Sequence, residues 1–169
     1  MLTQYENEEK QMVPIRFFIQ RLKQMTKYLY EEDLSVDSDV ENDHLVISTC
    51  KERLCSCFMS VIINAYEANK RGETPNVTLK VRASQLESDL YQVTFKIIDK
   101  GIGISEGDMD KLLVPFYTTK NDGNHAGLGL TLAKRYLEEI GAGISYSNEP
   151  EGTTFTIVMN DAHIAKYSL

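Results

Sequence analysis

The chain has 169 residues, 42% hydrophobic and 25% charged, with a formal net charge of −7 and no tryptophan. That length suits one domain able to bury its own core, and no apolar run approaches the roughly 20 residues of a membrane-spanning helix. The acidic balance argues against a nucleic-acid surface, although one local phosphate site can sit on an acidic protein.

The opening "MLTQYENEEKQMV" is too polar and acidic for a secretory signal. Residues 14–30 place Ile15, Phe18, Ile19, Leu22, Met25 and Leu29 on one helical stripe, with Pro14 suited to the first turn. The acidic, turn-rich stretch 31–43 reads as a linker or exposed loop, which would make the helix an add-on to a main unit at 43–160. Residues 44–49, "HLVIST", form a short strand, and Thr49 with Glu52 makes a capping box for a helix running to about residue 70. Its inner side would carry Leu54, Phe58, Val61, Ile62 and Ala65. Cys50, Cys55 and Cys57 are an odd set in one short stretch, pointing to buried thiols in a reducing cytoplasm. With no fourth thiol or nearby histidine they make a poor zinc site.

Residues 76–83 and 91–99 alternate as an antiparallel strand pair. Ser105 and Asp108 suggest a short capped helix toward Leu113, followed by irregular chain over 114–127. A second long helix at about 128–140 ends at Gly141, strands at 143–148 and 153–159 close the pattern, and the tail from 160 reads as peripheral. This order predicts an α+β fold: a two-layer α/β sandwich with helices on one face of a mixed, mostly antiparallel sheet. It is neither Rossmann-like alternation nor a P-loop, because "DKGIGI" lacks the G-x-G-x-x-G spacing and "GNHAGLGL" lacks the lysine.

Three stretches carry chemistry. Asp99 ends a hydrophobic strand, where its carboxylate would accept from an exocyclic amine while Gly101 and Gly103 let backbone approach a flat base. The same pattern also makes ordinary turns. Ser60, Asn64 and Glu67 share one side of a helix whose other side is apolar. An asparagine amide oxygen there suits Mg²⁺, and Glu67 would order its waters or orient a basic group; a merely solvated face is the alternative. Finally, a glycine-bearing loop at 121–127 runs into a helix start at Leu128 and Gly129, where free backbone N–H groups suit phosphate, with Lys120 adding a positive charge. His125 lies in that loop with nothing to mark it as catalytic, and His44 and His163 read as structural or solvated.

With these pieces together, the chain resembles the Bergerat-fold (GHKL) ATPase superfamily, and most closely the catalytic, ATP-binding domain of a two-component sensor histidine kinase. "SVIINAYEA" resembles the family's N box, "DKGIGI" its first glycine box, "PFYTTK" its F box, "HAGLGL" its second glycine box and "EGTTFTIVM" its closing strand, over about residues 43–160. The resemblance implies that Asn64 ligates Mg²⁺ and that Asp99 accepts from adenine with help from Thr153 through an ordered water. It implies that Gly101 and Gly103 shape the base pocket and Phe116 anchors a lid over about 104–126. Lys120, Gly127, Leu128 and Gly129 would hold phosphate. A histidine protein kinase of this kind passes the γ-phosphoryl of Mg-ATP to a histidine and thence to a response regulator in cytoplasmic signal transduction.

Two departures qualify the likeness. Ser60 stands where hydrolytic relatives carry a glutamate base and typical histidine kinases an asparagine, and a hydroxyl is a poor base. His125 replaces the first glycine of the second box. None of the three histidines lies in a dimerisation helix followed by an acidic residue, and residues 14–30 resemble at most the second helix of that hairpin. Missing sequence or a partner would supply the phosphoacceptor, with a dimer through helix 14–30 if its stripe is exposed. Two other readings stand beside this one: an ATP-binding module without phosphoryl transfer, and an anti-sigma-type serine kinase.

Overall fold

The computed structural model describes residues 9–40, 44–69, 74–114 and 128–165. The strands are β1 (Gln11–Pro14), β2 (Ser35–Ser38), β3 (Leu45–Thr49), β4 (Val77–Glu87), β5 (Leu90–Asp99), β6 (Gly143–Asn148) and β7 (Thr153–Ile164). The helices are α1 (Ile15–Tyr30), α2 (Lys51–Ala68), α3 (Glu106–Met109) and α4 (Gly129–Glu139).

Two-residue periodicity builds the inner face of the sheet. Val77, Leu79 and Val81 of β4, Val93, Phe95, Ile97 and Asp99 of β5, and Phe155, Ile157 and Met159 of β7 are buried. They meet helices whose apolar residues recur at helical spacing, including all five inner residues expected of α2. Phe18 of α1, Phe58 of α2 and Phe95 of β5 meet edge to face, with ring centroids 4.9 Å apart for Phe18–Phe58 and 5.0 Å for Phe58–Phe95. The sheet runs β1-β3-β7-β5-β4-β2, with β6 pairing β7 beside β3. Among the described strands, only β2 on β4 is parallel. This is the mixed, largely antiparallel two-layer sandwich that the sequence suggests.

Several local expectations differ. Instead of an add-on helix behind a linker, α1 contributes to the central core, and Ser35–Ser38 of the acidic stretch form an edge strand on β4. Pro14 precedes the helix as its N-cap rather than lying in its first turn. Along the α1 stripe, Thr26 is buried with its hydroxyl donating to the Leu22 carbonyl at 2.9 Å, whereas Leu29 is half exposed. The tail is not wholly peripheral: β7 continues to Ile164, pairing Leu45 with Ile164 and Val46 with His163. α3 stops at Met109, short of Leu113, and the Ser105 hydroxyl donates to the Asp108 carboxylate at 2.5 Å instead of capping the backbone. α4 ends at Glu139 with Ile140 as its C-cap, and the expected terminating glycine follows: Gly141 takes φ +75° while the Ala142 N–H donates to the Leu137 carbonyl at 2.7 Å. The three cysteines are buried thiols, and burial pushes Cys57 up to about 12.

The expected Thr49–Glu52 capping box is also absent, since Cys50 is the N-cap and makes no side-chain cap. Thr49 is buried, and its hydroxyl lies 2.9 Å from the Tyr136 hydroxyl of α4. That bond ties α4 to the start of α2, while the Arg53 guanidinium lies 4.0 Å above the same ring. Tyr136→Phe keeps the ring and strands the buried Thr49 hydroxyl. The expected loss is about 1–2 kcal/mol, or roughly 2–8 °C in Tm. A melting curve unchanged within about 1 °C would show that the hydroxyl pair carries no net stability.

Candidate functional site

The site forms where β5 leaves the sheet and passes the C-terminal end of α2. Asp99 occupies the last inward position of β5 and is 1% exposed. Burial holds its carboxyl above the ordinary 3.8, opposed by backbone N–H groups of Gly101 and Thr153 that donate to it; the Gly101 bond is 2.8 Å. A carboxylate kept in a dry setting by only two backbone donors has acceptor capacity left for a ligand.

Gly101 has a steric reason to be glycine. A Cβ there would lie 2.3 Å from the Ala68 carbonyl oxygen, and the next N–H, from Ile102, donates to that carbonyl at 3.0 Å. The chain after Asp99 is thus fastened to the last turn of α2. Gly103 follows with φ +71°, a conformation that L side chains rarely adopt.

From Ala68 the site extends back along α2. Asn64 lies one turn earlier, part-buried, and its Nδ2 donates to the Ser60 carbonyl at 2.8 Å. The amide also carries an oxygen, a hard donor of the kind Mg²⁺ takes. Ser60 is one turn earlier again, and its hydroxyl donates to the Ser56 carbonyl at 3.0 Å. A Cβ on Gly129 would lie 3.6 Å from the Ser60 Oγ, which puts the first residue of α4 against α2 at this point. Eight residues separate Ser60 from Ala68, roughly 12 Å along a helix. The acceptor Asp99 and the start of α4 therefore stand at opposite ends of a two-turn stretch of α2, with Asn64 between them. At Leu128 and Gly129 the α4 backbone presents N–H groups that precede its first helical bond, from Leu132 to Leu128.

Thr153, buried at the start of β7, reaches Asp99 through its backbone. Glu67 is exposed, and its charge acts on Tyr30, which burial first and Glu67 second push up to about 12; the Tyr30 ring stacks on Tyr66 at 4.2 Å. Phe116, Lys120, His125 and Gly127 lie outside the described residues. Sequence reasoning missed three contributors: Gly152, packed on the Asp99 carbonyl, and Asn148 and Tyr146 of β6, which bind the segment after Asp99. The turn-forming run "SNEPEG" was the one available signal.

Among the described residues no helix is long and apolar enough to cross a membrane. The profile of the family described as histidine kinase-, DNA gyrase B- and HSP90-like ATPase matches residues 50–163. The aerobic respiration control sensor protein ArcB of Escherichia coli is 30% identical over 129 residues, covering 73% of this chain and 16% of ArcB. The heme sensor protein HssS of Staphylococcus saprophyticus is 33% identical over 129 residues, covering 75% of this chain and 26% of HssS. The C4-dicarboxylate transport sensor protein DctB of Rhizobium meliloti is 29% identical over 124 residues, 73% of this chain and 19% of DctB. The chain thus spans about a quarter or less of these relatives. Among solved structures, the catalytic domain of the histidine kinase ThkA superposes with a TM-score of 0.71 at 22% identity, covering 90% of this chain and 96% of that one.

Proposed function

Because the chain belongs to the family of histidine kinase-, DNA gyrase B- and HSP90-like ATPases, we propose that it is the ATP-binding catalytic unit of a sensor histidine kinase. In this reading it presents Mg-ATP to a phosphoacceptor histidine. The observation that carries the proposal is the order of groups along α2: Asp99 and Gly101 at Ala68, Asn64 one turn back, and Gly129 at Ser60. An adenine nucleotide has the same order, with an exocyclic amine at one end and phosphates at the other.

Asp99 accepts from the adenine amine, and the close backbone approach at Gly101 with the left-handed turn at Gly103 leaves room for the flat ring. The α4 N-terminus faces the phosphates with N–H groups and the positive end of its dipole. Mg²⁺, when bound, neutralises phosphate charge, and Asn64 suits it as a single hard ligand for an ion that keeps several waters. Phe116, Lys120 and Gly127 would complete the lid and phosphate contacts. The acceptor imidazole attacks the γ-phosphorus, the bond from that phosphorus to the β–γ bridging oxygen breaks, and ADP leaves with the electron pair. The protein contributes position and charge. Ser60 donates its proton to its own helix and activates no water, so ATP turnover without a histidine acceptor is slow.

The acceptor belongs to other sequence of a longer protein or to a partner, and a response regulator receives the phosphoryl group in the cytoplasm. Isothermal titration of ATP with and without Mg²⁺ tests binding. Acid-labile radiolabel passed to a histidine-bearing helical hairpin tests transfer; acid-stable label on a partner would support a serine kinase instead. Asn64→Ala is expected to weaken Mg-ATP about tenfold, to the Mg²⁺-free level, while adenosine binds as before. Retained magnesium dependence in that variant would remove Asn64 from the metal site.

A further inference from the structure

The turn between β6 and β7 grips the segment 99–104 at both ends. At the near end, the Thr153 N–H reaches the Asp99 carboxylate, and Gly152 packs on the Asp99 carbonyl. At the far end, the Asn148 Nδ2 donates to the Ile104 carbonyl at 2.5 Å, and its Oδ1 accepts from the Ile104 N–H at 3.0 Å. One side chain thus acts as a strand partner for one residue, satisfying donor and acceptor together. Gly103, at φ +71°, immediately precedes the gripped residue, and a Cβ on it would lie 3.5 Å from the Asn148 Oδ1. Two residues earlier, on the same face of β6, the Tyr146 hydroxyl donates to the Met109 carbonyl while its ring rests on Phe155, centroids 5.7 Å apart. The chain leaving Asp99 is therefore fixed to an edge strand from Ile104 to Met109.

We propose that Asn148 is a positioning residue for nucleotide binding. It holds Gly103 and Ile104 so that the backbone beside Asp99 keeps the shape that encloses the base. The proposal rests on the reading of this region as a nucleotide site. Its chemistry calls for asparagine: aspartate keeps the acceptor and loses the donor, glutamine moves both by a methylene, and alanine has neither. Asn148 is exposed, and its bonds are local, so its loss leaves the hydrophobic core intact.

The test compares the wild-type chain with Asn148→Ala, Asn148→Asp and Asn148→Gln. Amide exchange at Ile104 without ligand reads the clamp. The dissociation rate of a fluorescent ADP reads its consequence, and Tm controls for stability. We expect Ile104 to be protected in the wild type and to lose about tenfold of that protection in the alanine variant, with ADP leaving about ten times faster. Aspartate should fall between, adenosine should weaken in parallel with ADP because the clamp acts at the base end, and magnesium dependence should persist. Equal Ile104 exchange in wild type and alanine variant overturns the clamp. Lost protection with an unchanged ADP dissociation rate, or with a lower Tm as the sole effect, overturns the positioning role. Failure of the wild type to bind ADP at all would overturn the nucleotide reading and this role with it, while the exchange data would still show whether the clamp exists.

Discussion

Replacing Asp99 by asparagine is expected to weaken ATP binding by about ten- to a hundredfold, the loss of a hydrogen bond to a charged group. The variant keeps size and shape, so the effect isolates chemistry. The native carboxylate already accepts from Gly101 and Thr153 and, as proposed, from adenine. Asparagine has one acceptor oxygen, so its amide must point its own hydrogens at one of these donors. The same carboxylate makes binding depend on pH. Asp99 titrates above the ordinary 3.8 because burial disfavours its charged form. ATP affinity should therefore fall with acidification earlier than an exposed aspartate would dictate. The stability of the ligand-free protein carries the opposite mark. A folded-state value raised above the unfolded one gives stability that is full below the unfolded value and is lost as pH rises through the folded one. Melting curves across that window should lose this component in Asp99→Asn. Titration calorimetry decides the main point: affinity within about twofold of wild type would remove Asp99 from the site.

Gly152→Ala is expected to be the most damaging single methyl in the described part of the protein. Gly152 has φ +92°, and an added Cβ would lie 2.0 Å from the Asp99 carbonyl oxygen and 2.8 Å from the Lys100 Cα. Both neighbours are backbone, so no rotamer change relieves the contact. Left-handed strain of about 1–2 kcal/mol and overpacking of about 1–3 kcal/mol together cost about 2–5 kcal/mol, or roughly 5–15 °C in Tm. Gly141→Ala is the matched control: its φ is +75°, but its Cβ would meet nothing within 4 Å. It should lose only the first part. Equal losses in the two variants would mean that the turn yields readily and that Gly152 exerts no grip on the acceptor strand. Nucleotide affinity should drop in Gly152→Ala and stay unchanged in Gly141→Ala, because only the former displaces Asp99.

The elements legible from sequence are those whose pattern is set within one segment. β5 and the inner side of α2 announce themselves through alternation or helical spacing and emerge close to the bounds read, while β4, read over 76–83, runs on to Glu87. β1 and β2 are four residues each, "QMVP" and "SVDS", with too little periodicity to mark them; edge pairing with distant strands makes them strands. The Thr49 hydroxyl met the local rule for a cap, but a tyrosine 87 residues away binds it instead. The site divides in the same way. Asp99, Gly101 and Gly103 stand out as an acid and two glycines at a strand end, and Asn64 as an asparagine on the polar side of a helix whose other side is apolar. Asn148 and Gly152 act only through the register that sets β6 beside β7 and the turn against Asp99. No spacing rule carries that information.

β7, the last described strand along the chain, occupies the middle of the sheet, pairing with β5 on one side and with β6 and β3 on the other. A ribosome therefore delivers this keystone after every strand that it joins. Until it arrives, β3 and β5 cannot be joined, and both wait with an unpaired edge above a half-covered core. Closure joins Leu45 to Ile164, two residues far apart in sequence, a slow type of contact whose loop entropy must be overcome before the pairing stabilises the sheet. Until β7 docks, the open edges of β3 and β5 are the places where intermolecular strand pairing would start.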